Sequence, residues 1–414
     1  MSQSTAVAVE EGGVLGLSAP ARRRALALVV TCCGIVMMAA VTPTTVTLAL
    51  HAQRIAAEHK EAVLSLVLSV GTLVAVVANP VAGHLSDRAT SGLRSPWLLG
   101  GALCGVGGTV LIPLAPNVPA MVAGWCVAQL GFNVTFAALY GVLADLTTAE
   151  VRGRTFGFIG VSQSLGIMAG TWIADLVAPS MSLMFALPPL AALASVLLLV
   201  FGVPSCRRRP VDRASRFSGF RFPLRARNFA WAWSGRFLVM VGNSIFAGYQ
   251  LYYLTEHQGV AVSEATAVIA ASATIGAVAQ LVSSPLGGWL SDRSGRRKVW
   301  VGIGTVLFAV GLALIAFAPG VPVFLAASGL ANLAYGLYRA TNMAMVVDVL
   351  PDGGARAAKD LGIFSVASTL GLLVGPALVP LILAFSGGYT VVFLVASGFV
   401  VAAAFTLTPI TGVR

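Results

Sequence analysis

The chain has 414 residues, 57% of them hydrophobic and only 10% charged. A soluble protein of this length carries about a quarter charged residues, so there is too little polar surface for a water-soluble shell, and the chain is an integral membrane protein with many spans. Its net charge of +11 is gathered in short gaps between apolar runs. That distribution orients a chain in a membrane and speaks against a nucleic-acid binder.

A helix needs about 20 apolar residues to cross a bilayer. Twelve such segments are expected, at 25–50, 62–85, 97–115, 119–144, 154–177, 183–203, 229–254, 265–290, 299–318, 322–347, 361–385 and 389–408. The first is too long for a signal-peptide core and lacks a small-residue cleavage site, so it reads as a retained span after a tail at 1–24. Alternate gaps carry Arg88 and Arg94, Arg152 and Arg154, eight arginines between Arg207 and Arg227, Arg293 to Lys298, and Arg356 with Lys359. The opposite gaps hold only Arg54 and Lys60. Lysine and arginine are retained on the cytoplasmic side, so a cytoplasmic (inner) membrane location is expected with both termini and the central loop 204–228 inside.

The chain repeats itself. Pro80, Gly83 and Asp87 match Pro285, Gly288 and Asp292 at an offset of 205, and Gly157, Gly166 and Gly170 match Gly362, Gly371 and Gly375 at the same offset. Asp145 and Asp348 match at 203. The expected domains are therefore a six-helix bundle at 25–203, the basic loop 204–228, a second bundle at 229–408 and a tail at 409–414. Parallel repeats of this kind are common in transporters whose substrate site lies between the halves.

The most informative stretch is Gly288-Trp-Leu-Ser-Asp292-Arg293-Ser-Gly295-Arg296-Arg297-Lys298, between spans 8 and 9. With the repeat and the twelve spans, it resembles the helix 2–3 signature of the major facilitator superfamily, G-x-L-x-D-R-x-G-R-R. That resemblance implies an all-α fold of twelve transmembrane helices in two pseudo-symmetric bundles. The first copy, Gly83 to Trp97, is longer before its glycine and resembles the hairpin of sucrose and other glycoside–cation symporters, with Leu93 in place of an arginine. The resemblance further implies gating roles at the span ends, for Gly83, Asp87, Arg88, Asp145 and Arg152 in the first half and Gly288, Asp292, Arg293, Arg297, Asp348 and Lys359 in the second. The expected pairs are Asp145 with Arg152 or Arg154, and Asp348 with Lys359. The two glycines are expected to let a neighbouring helix approach closely.

The family's cavity-lining helices are 1, 4, 7 and 10, and residues at i, i+3, i+7 and i+10 share one face of a helix. Span 4 carries Gln129, Asn133, Phe136 and Tyr140 at such spacing, span 7 carries Arg236, Met240, Asn243 and Gln250, and span 10 carries Asn332, Tyr335, Arg339 and Asn342. Polar groups at membrane depth face protein or a wet cavity, so these are the candidate substrate-binding residues. Interhelical hydrogen bonding is the alternative for each. Arg339 is the focus, since a charge at that depth costs at least ~2.5 kcal/mol without a partner. Asp175, near one end of span 5, is the candidate coupling carboxylate if transport is linked to a proton gradient.

Neither metal ligands, a nucleophile–base pair nor a phosphate loop appears. Cys32, Cys33, Cys104, Cys126 and Cys206 lack metal or disulfide spacing. No enzymatic activity and no cofactor is expected. The expectation is a monomeric secondary transporter of a small polar organic solute, sugar- or glycoside-like or anionic. An exporter of drugs or secondary metabolites and a non-transporting receptor remain as alternatives. Membrane lipids are the other expected partner, with anionic headgroups against the basic, Phe-interleaved central loop.

Overall fold

The computed structural model describes residues 19–88, 94–147, 149–178, 180–203, 227–349, 357–386 and 388–411. Residues 1–18, most of the central loop and the last three residues lie outside these. All regular structure among the described residues is helical. Helix α1 comprises Ala19–Thr42, a widened π-turn at Pro43–Thr47 and Leu48–Ile55. It is followed by α2 (Lys60–Arg88), α3 (Ser95–Leu111), α4 (Val118–Leu146), α5 (Ala149–Leu176) and α6 (Met181–Gly202). The second half supplies α7 (Arg227–Tyr252), α8 (Val262–Ser294), α9 (Arg297–Ala316), α10 (Val321–Asp348), α11 (Ala357–Ser386) and α12 (Tyr389–Phe405). Each expected span is one helix. Nine helices among the described residues are long and apolar enough to cross a membrane.

Local chemistry sets the ends. Asn117 caps α4 by accepting from the Ala120 amide at 3.0 Å, with Pro119 in the first turn. Ser180 does the same for α6 through Leu183, and both satisfy amides that a helix start leaves unpaired. Gly295 closes α8 at φ +62°, the left-handed cap that a side chain would strain. That is why the hairpin needs a glycine between Arg293 and Arg297. The outward-facing residues of α3, α6 and α9 are large and apolar, including Leu103, Leu198, Phe201 and Val306, as a lipid-facing surface requires.

Contacts divide the chain into two compact units, Met1–Pro43 with Leu73–Arg216, and Thr44–Thr72 with Phe217–Arg414. The division does not fall at the central loop alone: the adjoining ends of α1 and α2 belong with the C-terminal helices. In unit 1, α1 packs on α5 and α6, and α3 packs on α4 and α6. In unit 2 the repeat-equivalent pairs recur, α7 on α11 and α12, and α9 on α10 and α12. The repeated glycines explain the tightest of these. A Cβ at Gly166 would strike the Gly34 backbone and one at Gly170 would strike Met38 and Thr42, while Gly371 and Gly375 are blocked in the same way by Met240 and Ser244. Small residues let helix backbones touch where no hydrophobic effect drives association. Polar bonds accompany them, Ser162 to the Val30 carbonyl at 2.8 Å and Ser244 to the Gly371 carbonyl at 3.0 Å.

Candidate functional site

At the hairpin end of unit 2 the motif forms one network. The Arg297 guanidinium lies 2.7 Å from Asp348 Oδ1 and Oδ2, donates to the Ala344 carbonyl at 3.0 Å, and lies 3.5 Å from Asp292. Asp348 thus pairs with Arg297 across α9 and α10, while the pairing expected with Lys359 falls on a side chain outside the described residues. Arg293 lies over the Trp289 ring at 5.2 Å. The expectation for Gly288 fails. A side chain there would meet open space, and the close approach is at Gly287, whose Cβ would strike Leu337 of α10. In unit 1, Arg94 is 4% exposed, and its guanidinium fills the space beside Gly141 of α4, which precedes Ala344 by the same 203 positions. The side chains of Asp87, Arg88, Asp145, Arg152 and Lys359, together with Gly83, lie outside the described residues.

The other candidates lie on the helices themselves. Deep in unit 2, Arg236 of α7 donates from Nε to Ser368 Oγ of α11 at 2.9 Å, and its guanidinium carbon stands 5.8 Å from the Tyr338 ring centre on α10. On the same helix Trp233 and Phe237 form a stacked pair 6.0 Å apart, Trp233 being fixed by its bond to the Ile363 carbonyl. Tyr335 packs between Phe308 and Tyr338 at 5.5 and 6.3 Å and bonds to Met240 Sδ at 3.5 Å. Arg236 on α7 and the exposed Arg339 on α10 have no carboxylate within ion-pair distance among the described residues. Asn243, half-buried on α7, makes no hydrogen bond among them either. A cation in hydrocarbon surroundings without a carboxylate is costly unless an anion or water meets it.

The remaining stripe residues divide by partner. Asn332 accepts from Gln280 of α8 at 2.9 Å, and Gln250 accepts from Ser272 of α8 at 3.4 Å. Both are interhelical bonds inside unit 2. Asn342 is 3% exposed, with its Oδ1 unpartnered, in a small gap lined by Gly235, Thr305, Tyr338 and Thr406. In unit 1 Asn133 bonds to Gln129, its neighbour one turn earlier, and Gln163 of α5 donates to the Tyr140 hydroxyl at 3.1 Å. Phe136 stacks on Tyr140 at 6.1 Å. Asp175 is half-buried near the end of α5. Sequence reasoning missed Ser368, Tyr338, Gln280 and Ser272. Tyr338 lies three positions beyond Tyr335 and was within reach of the periodicity. The other three sit on helices outside the presumed lining set.

The profile of the Major Facilitator Superfamily matches residues 24–284 and 232–412. No curated protein matches the sequence at a significant level. Among solved structures, the chain is similar to a bacterial homologue of the human lysosomal transporter Spinster in an inward-facing, unoccupied conformation. The TM-score is 0.73 at 16% identity, over 94% of this chain and 98% of that one. For the occupied conformation the TM-score is 0.75 at 14% identity, over 96% and 98%. The human organic anion transporter MFSD10 (TETRAN) gives 0.67 at 17% identity, over 94% and 99%.

Proposed function

Because the chain belongs to the major facilitator superfamily, and is therefore a secondary transporter of small solutes rather than an enzyme, we propose that its solute is a small organic anion. The observation that carries this is the pair of guanidinium groups, Arg236 and Arg339, on α7 and α10 without carboxylate partners among the described residues. Arginine presents a planar fork of donors that pairs bidentately with carboxylate or phosphate. Ser368 holds Arg236 at Nε and Tyr338 stands against the same guanidinium, so an anion would meet its terminal nitrogens beside that ring. Asn243 and the Tyr335 and Tyr338 rings supply neutral donors and an apolar wall, which suits an anion carrying hydroxyls or a ring. One of the structural neighbours is itself described as an organic anion transporter, which supports trying that class first. A second reading, export of an amphiphilic compound, draws on the Trp233, Phe237, Tyr335 and Tyr338 rings.

The test is ligand-induced thermal stabilisation of the purified chain, with small carboxylates and phosphates, neutral glycosides and amphiphilic cations in parallel. Stabilisation by anions, lost in Arg236→Gln, supports the proposal. Equal stabilisation of wild type and variant by neutral glycosides would return the solute to the sugar class. Coupling to protons through Asp175, a cytoplasmic location for both termini and contact of the central loop with anionic headgroups belong to the same proposal. Uptake that keeps its pH dependence in Asp175→Asn would remove Asp175 from it.

A further inference from the structure

The two repeats differ in chemistry at one buried place. At an offset of 203, Leu98, Ala102, Leu139 and Val142 of the first repeat become Val301, Thr305, Asn342 and Met345 of the second. The first set is apolar and buried where α3 packs on α4, so the fold itself asks for no polar group at these positions. In the second repeat the same place holds a cavity of about 10 Å³, bordered by Thr305, Tyr338, Asn342, Met345, Gly235 of α7 and Thr406 at the end of α12. That is about the space of one water molecule. Asn342 Oδ1 is buried there and unpartnered. The Thr305 hydroxyl donates to the Val301 carbonyl at 2.7 Å and the Thr406 hydroxyl to the Ala403 carbonyl at 2.7 Å, so each has only lone pairs left to offer. Thr406 Oγ1 lies close against Gly235, where a Cβ would strike it. Tyr338, which borders the cavity, is also the ring that meets the Arg236 guanidinium at 5.8 Å.

We propose that this cavity is the binding site of one ordered water, which donates to Asn342 Oδ1 and to the Thr305 or Thr406 hydroxyl and so ties α9, α10 and the end of α12 together beside Tyr338. Two observations carry this. A buried acceptor without a partner bears the full cost of its lost hydration, and Asn342 Oδ1 is such an acceptor at a cavity of the right size. The Asn342 and threonine oxygens can only accept, and a water brings the two hydrogens that such a set requires. Cavities that stay dry are apolar, whereas polar ones hold water on two to four partners. A sodium ion also seeks oxygen acceptors, but none of the described residues bordering the cavity is acidic. Neutral oxygens alone repay the dehydration of an ion poorly, and the Arg236 charge beside Tyr338 opposes a second cation. Asn342, offered by its spacing as a solute ligand, is on this reading a water ligand.

The inference is independent of the anion reading, so its test needs no solute. X-ray radiolysis turns a bound water into hydroxyl radical in place, and a buried side chain beside that water is oxidised while one in dry packing is spared. Met345 borders the cavity and is 0% exposed; Met121 and Met184, at 0% and 1%, serve as buried references. In the purified full chain, held in lipid nanodiscs, Met345 is expected to be oxidised about three- to tenfold faster than either reference. Asn342→Leu copies Leu139 of the first repeat and should bring Met345 down to the reference rate. If that variant fails to fold, Thr305→Val, which keeps the shape and removes one acceptor, carries the test and should lower the rate as well. Melting in sodium, potassium and choline chloride completes it, with equal melting temperatures expected. Stabilisation by sodium alone, lost in Asn342→Leu, would put an ion in place of the water and overturn the proposal. Met345 oxidised no faster than the references in wild type, or just as fast in the folded variants, would overturn it too.

Discussion

Arg236 offers the sharpest test, because ligand binding and structural support predict opposite signs. Consider Arg236→Gln. In the absence of ligand the substitution removes a charge held by one hydrogen bond to Ser368 and the Tyr338 ring. Losing that bond costs about 1.5–3 kcal/mol, but removing a charge from hydrocarbon surroundings returns at least ~2.5 kcal/mol. The ligand-free melting temperature should therefore change little. With an anion at 100 times its Kd, wild type is stabilised by about 2.7 kcal/mol. Loss of a charge-assisted bond of about 2.7 kcal/mol weakens binding about a hundredfold, since each 1.4 kcal/mol is tenfold. The same ligand concentration then equals the variant's Kd and stabilises it by only about 0.4 kcal/mol. Differential scanning fluorimetry with and without anion reads both quantities. Arg236→Lys should fall between, keeping charge but losing the fork. A ligand-free variant destabilised by several kcal/mol, with undiminished response to the anion, would refute the reasoning and make Arg236 a structural tie between α7 and α11.

Two further outcomes follow from packing. Gly287→Val should destabilise by about 1–3 kcal/mol through overpacking, because Leu337 occupies the space. Gly288→Ala next door should be neutral or stabilising by about 0.5–1 kcal/mol, since its Cβ meets nothing and alanine suits a helix better. Melting temperatures of the two variants separate the sites. For Asn332 and Gln280, a double-mutant cycle with alanine should give a coupling of about 0.6 kcal/mol, the usual size for a bond between membrane helices. Zero coupling would mean that Asn332 is available to substrate.

The helices were legible because the bilayer sets a length and a hydropathy that any apolar run must meet, and the expected spans fell on single helices from α1 to α12. Gly295 stood in the motif, but its left-handed cap at φ +62° was seen only in the structure. Facing directions were not legible. Successive residues on a helix point about 100° apart, so assigning the close contact to Gly288 instead of Gly287 aimed it into open space. Spacing placed Asn332, Tyr335, Arg339 and Asn342 on one stripe but said nothing of what stood opposite. α8 takes Asn332, the ring wall takes Tyr335, and Asn342 is enclosed near α7, α9 and α12. The grouping of Thr44–Thr72 with the C-terminal helices was the least legible part. Nothing in the apolar runs of α1 and α2 marks the point where each leaves the company of its own repeat.

The glycine seams between α1 and α5, and between α7 and α11, bear on how this protein can be re-engineered. Where backbone meets backbone, a single methyl group is already too large, and no compensating substitution on the partner can make room for it. The rings and amides around Arg236 are held by single bonds and rotatable side chains, and can be exchanged one at a time. A library aimed at a new solute at the proposed anion site therefore belongs on α7 and α10 around Arg236, with Gly34, Gly166, Gly371 and Gly375 left invariant. Such variants should retain the fold while their selectivity drifts.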